Sequence, residues 1–207
     1  MSLPFSNHEV VAMVIAASFA AGINVYATLA TLGLLGHAGI LPIPANLHIV
    51  ENWWVIGVSL AMFVIEFFAD KIPGFDLIWN AMQTFVRVPV AALLGYQATN
   101  QLSPGAQLLT AVVAGGIALA AHGGKTAVRA AVTPSPEPFS NIGLSFAEDA
   151  LAIGLTWFAT THPYWAAGAA AVLLLAVILV LRFVVRALRR LFSGAMRRLE
   201  DPHQATP

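Results

Sequence analysis

The chain has 207 residues, of which 58% are hydrophobic and only 10% charged, with ten Lys+Arg against ten Asp+Glu. Soluble domains carry about 25% charged residues, so an ordinary soluble domain is excluded, and a net charge of zero points to no nucleic-acid partner. With no cysteine, disulfides, thiol nucleophiles and thiolate metal sites are excluded too.

Lipid is spanned by helices or closed barrels. Long continuous apolar runs, in place of short alternating segments, predict an all-α polytopic integral membrane bundle. Residues 1–190 form one transmembrane domain and 191–207 a basic, then polar, cytoplasmic tail. The N-terminal stretch through Glu9 lacks the basic region of a signal peptide, so the first apolar run is expected to be retained.

About 20 apolar residues cross a bilayer, and six runs qualify. Helix 1 is expected over 9–35, followed by a stretch containing Pro42 and Pro44. Helix 2 runs from Trp53 to Asp70 and stops at Pro73-Gly74. Helix 3 extends from Asp76 to about Thr99, with a kink expected at Pro89. Helix 4 spans Ala106 to Val132, helix 5 ends at Thr161, and helix 6 runs from Tyr164 to Arg190. Six spans with both termini inside put Lys71, Lys125, Arg129 and the tail arginines on the cytoplasmic side of a bacterial inner membrane. Two inverted three-helix halves would follow. A faint echo supports them, Ile56-Gly57-Val58-Ser59-Leu60-Ala61 against Ile142-Gly143-Leu144-Ser145-Phe146-Ala147.

Several motifs fail on inspection. Gly124-Lys125-Thr126 resembles the end of a phosphate-binding loop, but the required glycine five residues earlier is Leu119. The Gly-x-Ser-x-Ala stretches at Ser59 and Ser145 lack the strand-turn-helix setting of a nucleophile elbow. The histidines are scattered singly, so neither metal nor cofactor is expected.

The informative residues are polar groups inside apolar runs. Asn24, Thr28 and Thr31 form a stripe on helix 1, with Tyr26 beside it, and read as helix–helix hydrogen bonding or a cavity lining. Helix 2 ends in Glu66, Asp70 and Lys71. Helix 3 carries Asp76, Asn80, Gln83, Thr84 and Arg87 on one face, about 16 Å from first to last at 1.5 Å per residue. Helix 4 carries His122, Lys125, Thr126 and Arg129, and helix 5 carries Glu148 and Asp149. Five acids and four bases at one level predict mutual pairing, because a charge at mid-membrane costs about 2.5–3.5 kcal/mol. Pairing suits a structural salt-bridge network and a substrate or proton path equally. Arg182, Arg186, Arg189, Arg190, Arg197 and Arg198 read as a stop-transfer tail contacting anionic lipid headgroups.

Gly22-Ile23-Asn24-Val25-Tyr26-Ala27-Thr28, Glu66-x-x-x-Asp70-Lys71-x-Pro73, Arg87, the His-Lys-Arg series of helix 4, Ser135-Pro136-Glu137-Pro138 and Glu148-Asp149 together resemble the bacterial membrane family called domain of unknown function 4126. The resemblance implies a compact helical membrane domain and no particular activity.

Two functions compete on this reading. In the first, a small secondary transporter or flippase binds an anionic solute or lipid phosphate through Arg87, Lys125 and Arg129. Glu66, Asp70, Glu148 and Asp149 then couple it to a proton or cation. In the second, a non-catalytic scaffold uses the same charges to staple its helices. A third reading, an intramembrane enzyme using the acid pairs as general acid and base, is the least favoured, since acids without a nucleophile or metal motif specify no reaction. The small size favours a homodimer.

Overall fold

The computed structural model describes residues 5–40, 43–72, 74–132 and 138–200. Its elements are α1 (Asn7–Ile23), α2 (Val25–His37), a 3-10 helix (Ala45–Glu51), α3 (Trp53–Ala69), α4 (Phe75–Ala98), α5 (Pro104–Val132), α6 (Pro138–Thr161) and α7 (Pro163–Glu200). No strand occurs among the described residues. Four helices, α4 to α7, contain stretches long and apolar enough to cross a membrane.

Burial is inverted relative to a water-soluble protein. Trp54, Phe85, Val172 and Phe183 are exposed, whereas Glu66, Arg87 and Arg129 are fully buried. Much of the remaining interior is alanine and glycine, which lets helices approach closely. At Gly22 an added Cβ would lie 2.5 Å from the Ala118 carbonyl oxygen, which fixes the contact between α1 and α5.

The first apolar run is not one helix. It breaks at Asn24, whose extended backbone (φ −151°, ψ 102°) ends α1 and begins α2. Asn24 N–H still closes α1 on the Ala20 carbonyl at 2.9 Å. The Asn24 amide oxygen then accepts the Ala27 N–H at 2.9 Å, the N-cap role for which Asn is favoured. An unbroken helix would have given that N–H to the Ile23 carbonyl.

The direction of the chain reverses at this break. α1 runs alongside α5 in the same sense: Val11, Val14 and Ile15 line a cavity with Leu109, Thr110 and Val113, and Ile23 reaches Lys125. α2 then climbs back. Its Thr28 meets Thr156, beyond the Asn24–Asp149 contact along α6. Leu32 returns to Met13, Val14 and Leu47, and Gly33 sits against the Val50 carbonyl and Ile56. His37 stacks edge-on against Trp53 at 4.5 Å. Thus α1 and α2 form a hairpin with Asn24 at its tip. From Val10 to Leu32 it is buried almost throughout, as expected of a helix that is apolar all round.

Five helices, α3 to α7, run between the two ends of the bundle. One end holds the α3–α4 turn; the other holds the start of α1, the 3-10 helix and the α4–α5 turn, where the Asn46 and Asn100 side chains bond. In place of the expected single span over 9–35 the chain forms a hairpin of α1 and α2, and four helices are long and apolar enough to cross a membrane where six spans were expected. The start of α1 and the C-terminal part of α7 lie toward opposite ends of the bundle. The first half opens on a broken hairpin, the second on the unbroken α5. Pro89 is carried inside α4 without interrupting it.

Candidate functional site

The hairpin tip enters a ring of polar side chains from α3, α4, α5 and α6. The break at Asn24 leaves two carbonyls of α1 turned out of the helix. Gly22 O accepts from Arg87 Nη1 at 3.2 Å, and Ile23 O accepts from Lys125 Nζ at 3.2 Å. Cations suit these positions because a helix C-terminus carries partial negative charge.

Glu66 reaches in from the last turn of α3, and its Oε1 pairs with Arg87 and, at 3.3 Å, with Lys125. Asp70 caps the same helix and accepts from Lys125 Nζ at 2.8 Å and Arg129 Nη2 at 2.9 Å. Arg129 also donates to the Asp70 carbonyl at 2.7 Å. Glu148 of α6 accepts from Arg129 Nε at 3.1 Å and pairs with Arg129 Nη2 and Lys125. Asp76 accepts from the Gly74 and Leu77 N–H groups at 2.9 and 2.8 Å, and its other oxygen lies 3.6 Å from Arg129. That last separation is an ion pair, too long for a hydrogen bond. Gly74 has φ +84°, so the turn presenting Asp70 and Asp76 needs a residue without Cβ.

His122 links α4 and α5. Its Nδ1 faces Arg87 Nη1 at 2.8 Å, and its Nε2 faces the Asn80 carbonyl at 2.8 Å and Thr84 Oγ1 at 2.9 Å. Arginine cannot accept, so Nδ1 accepts and Nε2 carries the hydrogen: the bonding pattern assigns a neutral imidazole. Among the described residues no set of three or more His, Asp or Glu is placed to hold a metal ion.

Asn24, Glu66, Asp70, Asp76, Asn80, Thr84, Arg87, His122, Lys125, Arg129, Glu148 and Asp149 all converge on this centre. Lys71 stands at its rim, donating to the Phe67 carbonyl and Ser145 Oγ with its ammonium 3.0 Å over the Phe67 ring. Tyr26 packs among Val25, Ala91 and Ala118, within electrostatic reach of Glu66, Gln83 and Arg87. Thr28 bonds Asn24 O and Thr156. Thr31 does not join: it is half-buried further up α2. The Ser135-Pro136-Glu137 stretch lies outside the described residues.

Sequence reasoning missed the main-chain ligands Gly22 O and Ile23 O, and also Ser145 and Thr156. Asn24 following Gly22 in an apolar run was the available signal for a break. Several buried atoms have no protein partner, among them Glu66 Oε2, Asn80 Oδ1, Gln83 Oε1 and Asp149 Oδ2. They mark where the centre is not closed upon itself.

The fold and site together define an all-helical bundle, apolar outside, built around a buried polyionic centre at a broken-helix tip. The chain belongs to the family described as Domain of unknown function (DUF4126), whose model matches residues 11–183. No curated protein matches the chain, and no solved structure does.

Proposed function

We infer that this chain is an integral membrane protein and acts as a small proton-coupled secondary transporter, with the polyionic centre as its coupling site. The exposed apolar belt and the four long apolar helices favour a bilayer setting. α3, with 17 residues, joins the same two ends and would make a fifth crossing. The hairpin would be re-entrant, which lipid tolerates only where protein surrounds the irregular backbone. The positive-inside rule applied to Lys71 and the α7 arginines favours a cytoplasmic ionic end in a bacterial inner membrane, with the start of α1 on the outer side. Arg182, Arg186 and Arg189 line one groove on α7 suited to anionic lipid headgroups.

The observation that carries the reading is a broken helix whose tip meets an excess of buried acids. Five acids (Glu66, Asp70, Asp76, Glu148, Asp149) face three buried bases (Arg87, Lys125, Arg129). Broken helices meeting charges deep in the bundle are a habit of secondary transporters. All three bases already contact acids, which favours a proton as the coupled ion and disfavours an anion held directly by them. A cavity of about 220 Å³ lies between α1, α5, α6 and α7, apolar except for Lys125 and Glu148. Its lining suits the apolar body of an amphiphile.

The test is proton flux in proteoliposomes, followed with an entrapped pH dye while a lipid phosphate or inorganic phosphate gradient is imposed. Substrate-dependent flux, lost in a folded Glu66→Gln variant, is the expected result. No flux under any gradient, with Glu66→Gln merely unstable, would return the centre to the scaffold reading. That second reading is favoured by the dense pairing of Arg129, which touches Asp70, Asp76 and Glu148 at once.

A further inference from the structure

Asp149 stands apart from the other four acids of the centre. Glu66, Asp70, Asp76 and Glu148 each lie within 4 Å of a basic side chain. Among the described residues Asp149 has no such partner, although it is 94% buried by its 6% exposure. Its Oδ1 accepts from Asn24 Nδ2 at 3.0 Å, and its Oδ2 is buried with no partner. The polarity of the Asn24 amide is fixed, because its oxygen is held by the Ala27 N–H. Asn24 therefore always presents a donor to Asp149.

Lys71 is the complementary case, a cation with no acid within 4 Å among the described residues. It is held by Ser145 Oγ at 3.3 Å and by the Phe67 and Phe146 rings, at 3.0 and 4.7 Å to their centroids. Ser145 precedes Asp149 by four residues on α6, so Lys71 is parked one helical turn from the unpaired acid. With Lys71 counted, five acids face four bases, and one negative charge is left over. A single proton balances the centre.

We propose that Asp149 binds one exchangeable proton, and that Lys71 is the cation which replaces it, moving from Ser145 to the Asp149 carboxylate when the proton leaves. The O–H bond of the carboxyl breaks, its proton passes to water at the Lys71 rim, and the ammonium takes over the charge. No other bond changes. The groups facing Asp149 are Asn24 at the hairpin tip, Lys71 in the turn after α3, Glu66 and Asp70 of α3, Lys125 of α5 and its neighbour Glu148. The positive end of α2, at Asn24, keeps the proton releasable by favouring the carboxylate. The site joins hairpin to rim, so proton exchange would bias the tip directly. This inference deepens the transporter reading and rests on it only for the use made of the proton.

The test reads protonation itself, on the full-length protein in lipid, by difference infrared of the protonated carboxyl stretch. The expected result is one carboxyl band present at neutral pH that fades as pH rises and is missing in Asp149→Asn. Lys71→Met should move the fading to higher pH by about one unit, a tenfold gain in proton affinity. No protonated carboxyl in the parent protein, or a band that survives in Asp149→Asn, overturns the assignment of the proton. An unchanged midpoint in Lys71→Met overturns the role of Lys71, and this variant leaves Asp149 intact should Asp149→Asn not fold. A band that behaves as expected in a protein without flux would defeat the transporter reading and leave this one standing.

Discussion

Arg129→Ala is the substitution whose cost the geometry constrains most closely. The guanidinium is fully buried and holds Asp70 Oδ2 at 2.9 Å, the Asp70 carbonyl at 2.7 Å and Glu148 at 3.1 Å. Removing one partner from a buried ion pair costs about 3–5 kcal/mol, mostly from the charge left behind. Lys125 still reaches Asp70 at 2.8 Å and Glu148 at 3.3 Å, which keeps either carboxylate from being wholly stranded. The expected loss is therefore near the lower bound, about 3 kcal/mol, or roughly a hundredfold in the folded ratio at 1.4 kcal/mol per decade. The assay is thermal or denaturant unfolding of the purified protein in one detergent. Adding Glu148→Gln should recover part of the loss, because it removes the charge that Arg129 neutralised. Asp149→Asn should recover nothing, since Asp149 does not pair with Arg129. A loss below about 0.5 kcal/mol, in the range of a neutral surface change, or equal rescue by both substitutions, would refute the pairing.

Two further outcomes follow from the packing and from the path of the chain. Gly22→Val places side-chain atoms against the Ala118 carbonyl and Ala121 and should cost about 1–3 kcal/mol as overpacking; unfolding midpoints equal to the parent's would argue against the α1–α5 contact. Since the protein has no native cysteine, single cysteines at Ser6 and Gln101 should be modified by an impermeant reagent from one face of the membrane, and at Ser193 only from the other; Ser6 and Ser193 reacting from the same face would restore an even number of crossings.

Much of the ionic centre is legible in the sequence because charges inside apolar runs have few places to go. Spacing alone puts Asp76, Asn80 and Arg87 on one face, and Lys125 beside Arg129 on another, and the helices deliver these faces to each other. What spacing does not encode is direction. The run from Glu9 to Leu35 reads as one long span because its apolar content is continuous, and Asn24 is a single residue whose amide can either face a neighbouring helix or cap a new one. The outcome depends on Arg87 and Lys125 being present to take the carbonyls that the break frees. Those partners are 65 and 102 residues away in the chain. The side expected for the start of the chain depends on the same residue, since a hairpin returns the chain where a span would have crossed. Thr31 misled for a related reason: past the tip, α2 carries it away from the centre that Asn24 and Thr28 enter.

The hairpin is made before the helices that enclose it, and it is buried almost throughout. Its tip is completed by Arg87, Lys125 and Asp149, the last of them 125 residues after Asn24. Until α6 has emerged, the ribosome has delivered a polar tip with two open carbonyls and no finished cavity to receive it. Docking of the hairpin is therefore a late event of assembly, after α6 has been made. Chains stalled before α6 should leave the hairpin open to protease, and chains released complete should close it. A substitution at Asn24 would then be felt first as degradation during biogenesis, before any loss of activity in the protein that survives.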